Sequence, residues 1–187
     1  MLRLLIYLDF ILAVVLLVVT PLGLLVAAWG QPAVQSRLLA YWRASSLLMI
    51  TVYLMIGGRP VAFIAGNAAL LLIPLALYYG DFLSGATHRS LDGGLVAGRF
   101  RRWRTVATIF CGASLLLTGP ALRCAWALGE AAPGCAAWLG PPRELHRALH
   151  PSLDPAMLGD TATVGLVAYG AYLIASVVQG LRRIQRG

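Results

Sequence analysis

The sequence contains no lysine: its 15 basic residues are all arginine, and against 7 acidic residues they leave a formal net charge of +8. A basic chain invites a nucleic-acid reading, but that needs charge gathered on one face beside aromatic or loop elements that present it. These arginines stand instead between long apolar runs, where positive charge reports membrane topology, so nucleic acid is not an expected partner. Charge itself is scarce, at 12% of residues against roughly 25% in soluble domains. Apolar residues reach 59%, more than a soluble fold of 187 residues can hide from water.

Catalytic signatures are missing too. There is no glycine-rich phosphate loop, no Ser/His/Asp set, no His-Glu-x-x-His helix and no Asp-x-x-Asp pair for metal-bound diphosphate. No histidine falls in an apolar run, which excludes a bis-histidine haem bundle. No ionisable residue stands near the middle of a run, where ion paths and proton relays place them. The expectation is a non-enzymatic protein with no cofactor and no catalytic residue.

What is present is oil. A helix crossing the hydrocarbon core needs about 20 mainly apolar residues. Five stretches qualify, over 10–29, 38–58, 61–79, 105–122 and 161–181, with 123–160 as a long connection. They predict a single all-α, polytopic membrane bundle over 1–187. Gly58-Arg59-Pro60 ends the second span and opens the third as a tight turn. Arg43 lies a little over a turn into the second run, flanked by Tyr41 and Trp42, and is expected to anchor at the interface by snorkelling. The first run, with Arg3 before it and Ala27-Ala28 at its end, has the outline of a signal peptide. It is longer than the 7–15 apolar residues of such a peptide, so it is expected to stay as a span.

Five spans put the first connection, the third connection and the carboxyl tail on one side. Arg37, Arg43, Arg89, Arg99, Arg101, Arg102, Arg104, Arg182, Arg183 and Arg186 fall there, against Asp81 and Asp92. The other side holds Arg3, Arg59, Arg123, Arg143 and Arg147, balanced by Asp9, Glu130, Glu144, Asp154 and Asp160. The richer side is the cytoplasmic one, which places the amino terminus outside or in a lumen. Asp9 and Asp81 read as span-end caps or partners of nearby arginines.

Cys124 and Cys135 both fall in the connection assigned to the outside, where disulfides persist. They are a candidate pair, the alternative being two free thiols at a membrane edge; Cys111 reads as a small apolar filler. Further along, Pro141-Pro142 and Pro151 frame a predicted short interfacial helix over 143–150. On it Leu145 and Leu149 share one face, and His146 and His150 a neighbouring one. That histidine pair is the nearest thing to a metal or pigment site. A zinc site wants three or four ligands, and only Glu144 and Asp154 stand near enough in sequence to add. Two surface histidines on a solvated helix is the simpler account.

Within the spans the polar residues are Thr20, Ser45, Ser46, Thr51, Asn67, Ser114, Thr118 and Ser176, which in membranes usually bond between helices. Pro21 and Pro74 are expected to kink their helices. Gly23 with Ala27, Ala62 with Gly66, and Ala171 with Ala175 offer close-packing faces. The basic stretch Arg99-Phe-Arg-Arg-Trp-Arg104 reads as a topology anchor meeting anionic lipid.

The stretch from Arg37 to Ile56, Arg-Leu-Leu-Ala-Tyr-Trp-Arg-Ala-Ser-Ser-Leu-Leu-Met-Ile-Thr-Val-Tyr-Leu-Met-Ile, resembles the signature of an uncharacterised cyanobacterial integral membrane family, domain of unknown function 3177. Leu8-Asp9-Phe10, Thr20-Pro21 and Leu158-Gly159 are similar to it as well, whereas 85–102 and 124–150 contribute little. The resemblance implies a photosynthetic-bacterial membrane, thylakoid or plasma, and no activity. Two functional expectations stand. One is an accessory subunit or assembly factor that binds other membrane proteins, such as photosynthetic or respiratory complexes. The other is a small transporter or channel component with Asn67, Thr51 and Ser114 along a polar path.

Overall fold

The computed structural model describes residues 1–84, 94–126 and 134–184. Arg89, Asp92, Glu130 and Arg186 of the charge count lie outside the described residues, as do the side chains of Asp81 and Arg183. The chain is all-α, with no strand among the described residues. Helix α1 spans Leu2–Ala27, α2 Pro32–Ile56, α3 Ala62–Ser84 and α4 Leu95–Thr118, the last running on through a 3-10 stretch, Gly119–Ala125. A shorter helix, α5, covers Cys135–Leu149, and α6 covers Pro155–Ile184. Five of the six, all but α5, are long and apolar enough to cross a membrane.

Four of the five long helices begin before their apolar runs do; α3 begins at Ala62, beside the expected 61. Helix α1 starts at Leu2 rather than 10, α2 at Pro32 rather than 38, α4 at Leu95 rather than 105, and α6 at Pro155 rather than 161. The reason is that charge ends an apolar run without ending a helix, because arginine is a good helix former. The starts are set by local chemistry. Pro32 and Pro155 stand where a missing amide costs nothing, and Asp154 caps α6 by accepting from the Ala156 amide at 3.1 Å. Helix α5 likewise corrects the expected 143–150: it starts at Cys135 and runs through Pro141 and Pro142. Both prolines are buried against the bundle, so packing compensates for the amides they lack.

Helix α3 is the centre. Ala62, Ala65 and Ala69 form a small-residue stripe that lets Leu47 and Leu54 of α2 come close, and Ala162 and Tyr169 bring α6 onto the same cluster. A methyl at Gly66 would stand 3.1 Å from the Thr51 methyl, so the Ala62–Gly66 face is in use. The other two small-residue pairs face outward: Gly23, Ala27, Ala171 and Ala175 are all exposed. The turn from α2 to α3 passes through Gly58 at φ +65, a left-handed conformation suited to glycine.

Proline shapes α1. Pro21 has no amide for the Leu17 carbonyl four residues back, and the helix widens into a π turn over Val15–Val19. Side chains take over the carbonyls. Thr20 donates to Val15 at 2.8 Å, Trp103 Nε1 of α4 donates to Leu16 at 2.7 Å, and the Tyr41 hydroxyl of α2 donates to Leu17. Around them Leu17, Leu38, Tyr41 and Phe100 are fully buried. A buried acceptor left without a donor costs about 1–3 kcal/mol. Tyr41→Phe should therefore lower stability by roughly 1–3 kcal/mol in thermal unfolding of the detergent-solubilised protein; an unchanged midpoint would show that the π turn does not need this donor.

The arginine-rich end is also the aromatic end. Tyr41 meets Trp103 edge-on at 5.1 Å, and the Arg104 guanidinium lies 4.3 Å over the Tyr78 ring. Arg43, beside this layer, points its side chain outward. Arg99, Arg101 and Arg102 are exposed on the first turns of α4 while Phe100 and Trp103 face the core, so the basic stretch is one amphipathic helical face.

Candidate functional site

At the opposite end the bundle is stapled. Cys124, at the end of α4, and Cys135, the first residue of α5, form a disulfide with their α-carbons 5.8 Å apart. Cys111 is buried as a free thiol in the core. Beneath the staple, Phe63, Ala121 and Leu139 pack around the two sulfur-bearing residues. From there α5 turns its Cys135, Leu139, Pro142 and His146 stripe onto the bundle. The spacing of that stripe is three to four residues, one face of a helix. Leu149 of the expected apolar pair is exposed and Leu145 half-buried, because the bundle takes the neighbouring face.

Helix α1 holds the other edge of α5. The Tyr7 hydroxyl donates to Glu144 Oε1 at 2.6 Å, and a methyl at Gly140 would stand 3.1 Å from that hydroxyl. The first half of α1 therefore leans on α5, while its second half packs with α2 and α4. Between these contacts the helices part. A cavity of about 340 Å³ opens among α1, α2, α3 and α4, with α5 as its roof. Its walls are mostly apolar, from Phe10, Val14, Val52, Leu70 and Phe110 among others. Met49 lines it and is yet 47% exposed, as is Leu149 at 62%, which puts the mouth between α1 and α2 under the edge of the roof.

One row of the wall is polar. Ser114 donates to Asp9 Oδ1 at 2.5 Å. Thr118 sits within 3.0 Å of Asn67 Oδ1 and 2.8 Å of the Ser114 carbonyl, one proton serving both acceptors. Asn67 Nδ2 donates to the Phe63 carbonyl at 2.8 Å, and Thr51 donates to Leu47 at 2.8 Å. All five side chains line the cavity. The expected polar residues Asn67, Thr51 and Ser114 are thus brought together, and Asp9 joins them. Among the described residues Asp9 meets Ser114 rather than a helix end or an arginine. Because α1 starts at Leu2, the carboxyl lies about 10 Å along the helix, at 1.5 Å per residue, and turns inward to α4. Its signal in the sequence was a lone acid inside an apolar helix, hidden by starting the run after it.

The histidines belong to the roof. His146 is buried, with Nε2 3.0 Å from the Leu153 carbonyl, which fastens the turn after α5. His150 Nε2 lies 3.4 Å from the Tyr53 hydroxyl of α2. Their proposed co-ligands are engaged elsewhere, Glu144 with Tyr7 and Asp154 as the cap of α6. Among the described residues no group of three or more His, Cys, Asp or Glu side chains gathers as a metal site would require. The arrangement offers an oily pocket with a short acceptor-rich wall, open sideways.

Comparison with curated proteins and with solved structures gives no match to either. A match does come from the family described as Protein of unknown function (DUF3177), which covers residues 3–187 and so the whole of the cavity and its roof; the chain belongs to that family.

Proposed function

We propose that this protein is a non-catalytic membrane accessory factor that works by holding an apolar, lipid-like ligand in the cavity among α1, α2, α3 and α4. The observation that carries this reading is the cavity itself. Its volume of about 340 Å³ is in the range of small-molecule sites, and its mouth faces sideways toward the bilayer rather than the water. An apolar molecule dissolved in lipid reaches such a mouth without crossing a polar phase. The polar side chains inside bond one another or the backbone.

A channel reading is less well supported. Between the cavity and the arginine-rich end lies the fully buried layer of Leu17, Leu38, Tyr41 and Phe100. A solute path would have to cross that packed layer. The orientation belongs to the same proposal: arginine-rich end in the cytoplasm, disulfide and roof outside. So does the setting, a photosynthetic-bacterial membrane, which rests on the resemblance around α2. Under it the outward face of α6, with Val164, Val167 and Ile174 exposed, meets lipid or the membrane proteins the factor serves.

A headless hydrocarbon carrying a diazirine tests the cavity. Photolysis in membranes should label cavity-lining peptides around Phe10 and Val52. Met49→Trp, which fills the mouth from an exposed position, should cut that labelling several-fold while leaving the outward face of α6 labelled as before. Equal labelling of Phe10 and Val52 in both proteins would overturn the reading.

A further inference from the structure

The hydrogen bonds inside the cavity are lopsided, and the lopsidedness selects a ligand. Each hydroxyl on the polar wall has one proton to give. Ser114 gives its proton to Asp9 Oδ1, and Thr118 gives its proton to Asn67 and the Ser114 carbonyl. Thr51 gives its own to Leu47, and one Asn67 N–H goes to Phe63. What is left over is acceptor capacity: the second carboxyl oxygen of Asp9, a lone pair on Asn67 Oδ1, and lone pairs on Ser114 and Thr118. On the donor side of this wall a single Asn67 N–H remains. The roof brings Trp138, His146 and His150 to the same pocket; His146 Nε2 is turned to the Leu153 carbonyl, and His150 Nε2 lies 3.4 Å from the Tyr53 hydroxyl. The arginines of α5, Arg143 and Arg147, line a separate hollow on the far side of His146, away from the Asp9 wall.

We infer that the cavity takes a lipid alcohol: an apolar chain lying along Phe10, Val14 and Val52, ending in a hydroxyl that donates to Asp9 and accepts from Asn67. This inference rests on the cavity reading above and names its ligand class. A phosphate or carboxylate head would bring acceptors to a wall of acceptors, beside a carboxyl group and with no arginine lining the cavity. An ether or ester head has no proton to give. A primary ammonium head has protons but would leave its charge in an apolar pocket with only one acid beside it. Two sources share the selected chemistry, an aliphatic alcohol and a phenol on a long chain.

Competition against the diazirine hydrocarbon reads the preference directly in the unaltered protein. The competitors share one alkyl chain and differ in head: primary alcohol, phenol, methyl ether, phosphate monoester and primary amine. The alcohol or the phenol should protect the Phe10 and Val52 peptides at about tenfold lower concentration than the methyl ether, the worth of one hydrogen bond. Whichever of the two is stronger identifies the source. Asp9→Leu should bring alcohol and ether together while hydrocarbon labelling persists; should that variant fail to fold, the head-group ranking on the unaltered protein decides alone. Equal protection by alcohol and ether there, or stronger protection by phosphate or amine, overturns the inference and leaves the apolar cavity standing. A hydrocarbon that never labels the cavity overturns the cavity reading and this inference together.

Discussion

Replacing Gly57 by alanine should unseat α6 from the bundle and cost about 3 kcal/mol, the upper end of what overpacking a core produces. The expectation follows from one contact. A methyl at Gly57 would stand 2.5 Å from the α-carbon of Gly159, and a methyl at Gly159 would stand 2.8 Å from the α-carbon of Gly57. At both positions the obstacle is backbone, which has no rotamer to change. The end of α2 and the start of α6 therefore touch main chain to main chain, and any side chain must push the helices apart. Arg59 and Asp160 pair across the same junction. That pair is exposed and contributes little, so it cannot hold α6 once the contact is lost. Thermal unfolding of the purified protein measures the effect. Gly159→Ala should match Gly57→Ala, and the double variant should cost less than their sum, because the first methyl opens the gap that admits the second. Gly23→Ala is the control: nothing stands within 4 Å of the added methyl, so it should be neutral or stabilising. A Gly57→Ala protein as stable as the parent would show that α6 does not dock this way.

Reducing the disulfide should cost nearly as much. Cys124 and Cys135 close a loop with a sequence separation of 11. In the chain-entropy account a loop of that size contributes about 3 kcal/mol. Reduction, or Cys124→Ser with Cys135→Ser, should lower the unfolding midpoint by roughly 6–12 °C on the scale of soluble domains of this size. The loss should also reach the cavity. The staple fixes one end of α5, Tyr7 with Glu144 holds its middle and His146 with Leu153 its far end, so cutting the staple frees the end that packs on Phe63 and Ala121. Protection of the Phe10 and Val52 peptides should weaken in the reduced protein. A membrane-impermeant reductant should act only from the non-cytoplasmic face. Complete reduction with no change in midpoint would remove the staple from the account of stability, and reduction from the cytoplasmic face alone would reverse the proposed orientation.

How much of this was legible beforehand can be argued residue by residue. The all-α class and the five long apolar helices were, because lipid demands about 20 apolar residues per helical crossing and leaves that demand written in the chain. Helix ends were not. Arg99 to Arg104 marked the edge of an apolar run, yet α4 begins at Leu95, since the backbone hydrogen bonds continue past the point where the side chains leave the oil. Pro141 and Pro142 signalled a helix start and instead lie inside α5, buried. Thr51, Asn67 and Ser114 were visible as polar residues in spans. Nothing in their spacing said that all three line one cavity, as they stand on three helices. Asp9 is legible in the sequence only as the edge of a run, because an acid near an apolar run looks like its boundary.

By itself the sequence determined the solvent this chain folds for, the count of its crossings and the asymmetry of its arginines, all of which are sums over local composition. Only the tertiary structure decided which neighbours those crossings have. The donors to the π turn of α1 come from Tyr41 and Trp103, and the Asp9 partner is Ser114, 105 residues away. Backbone contact at Gly57 and Gly159, and the hollow left where α1 leans on α5, depend likewise on how rigid cylinders cross. Such crossings are set by side-chain shape at points far apart in the chain, and no local pattern encodes a distance between them.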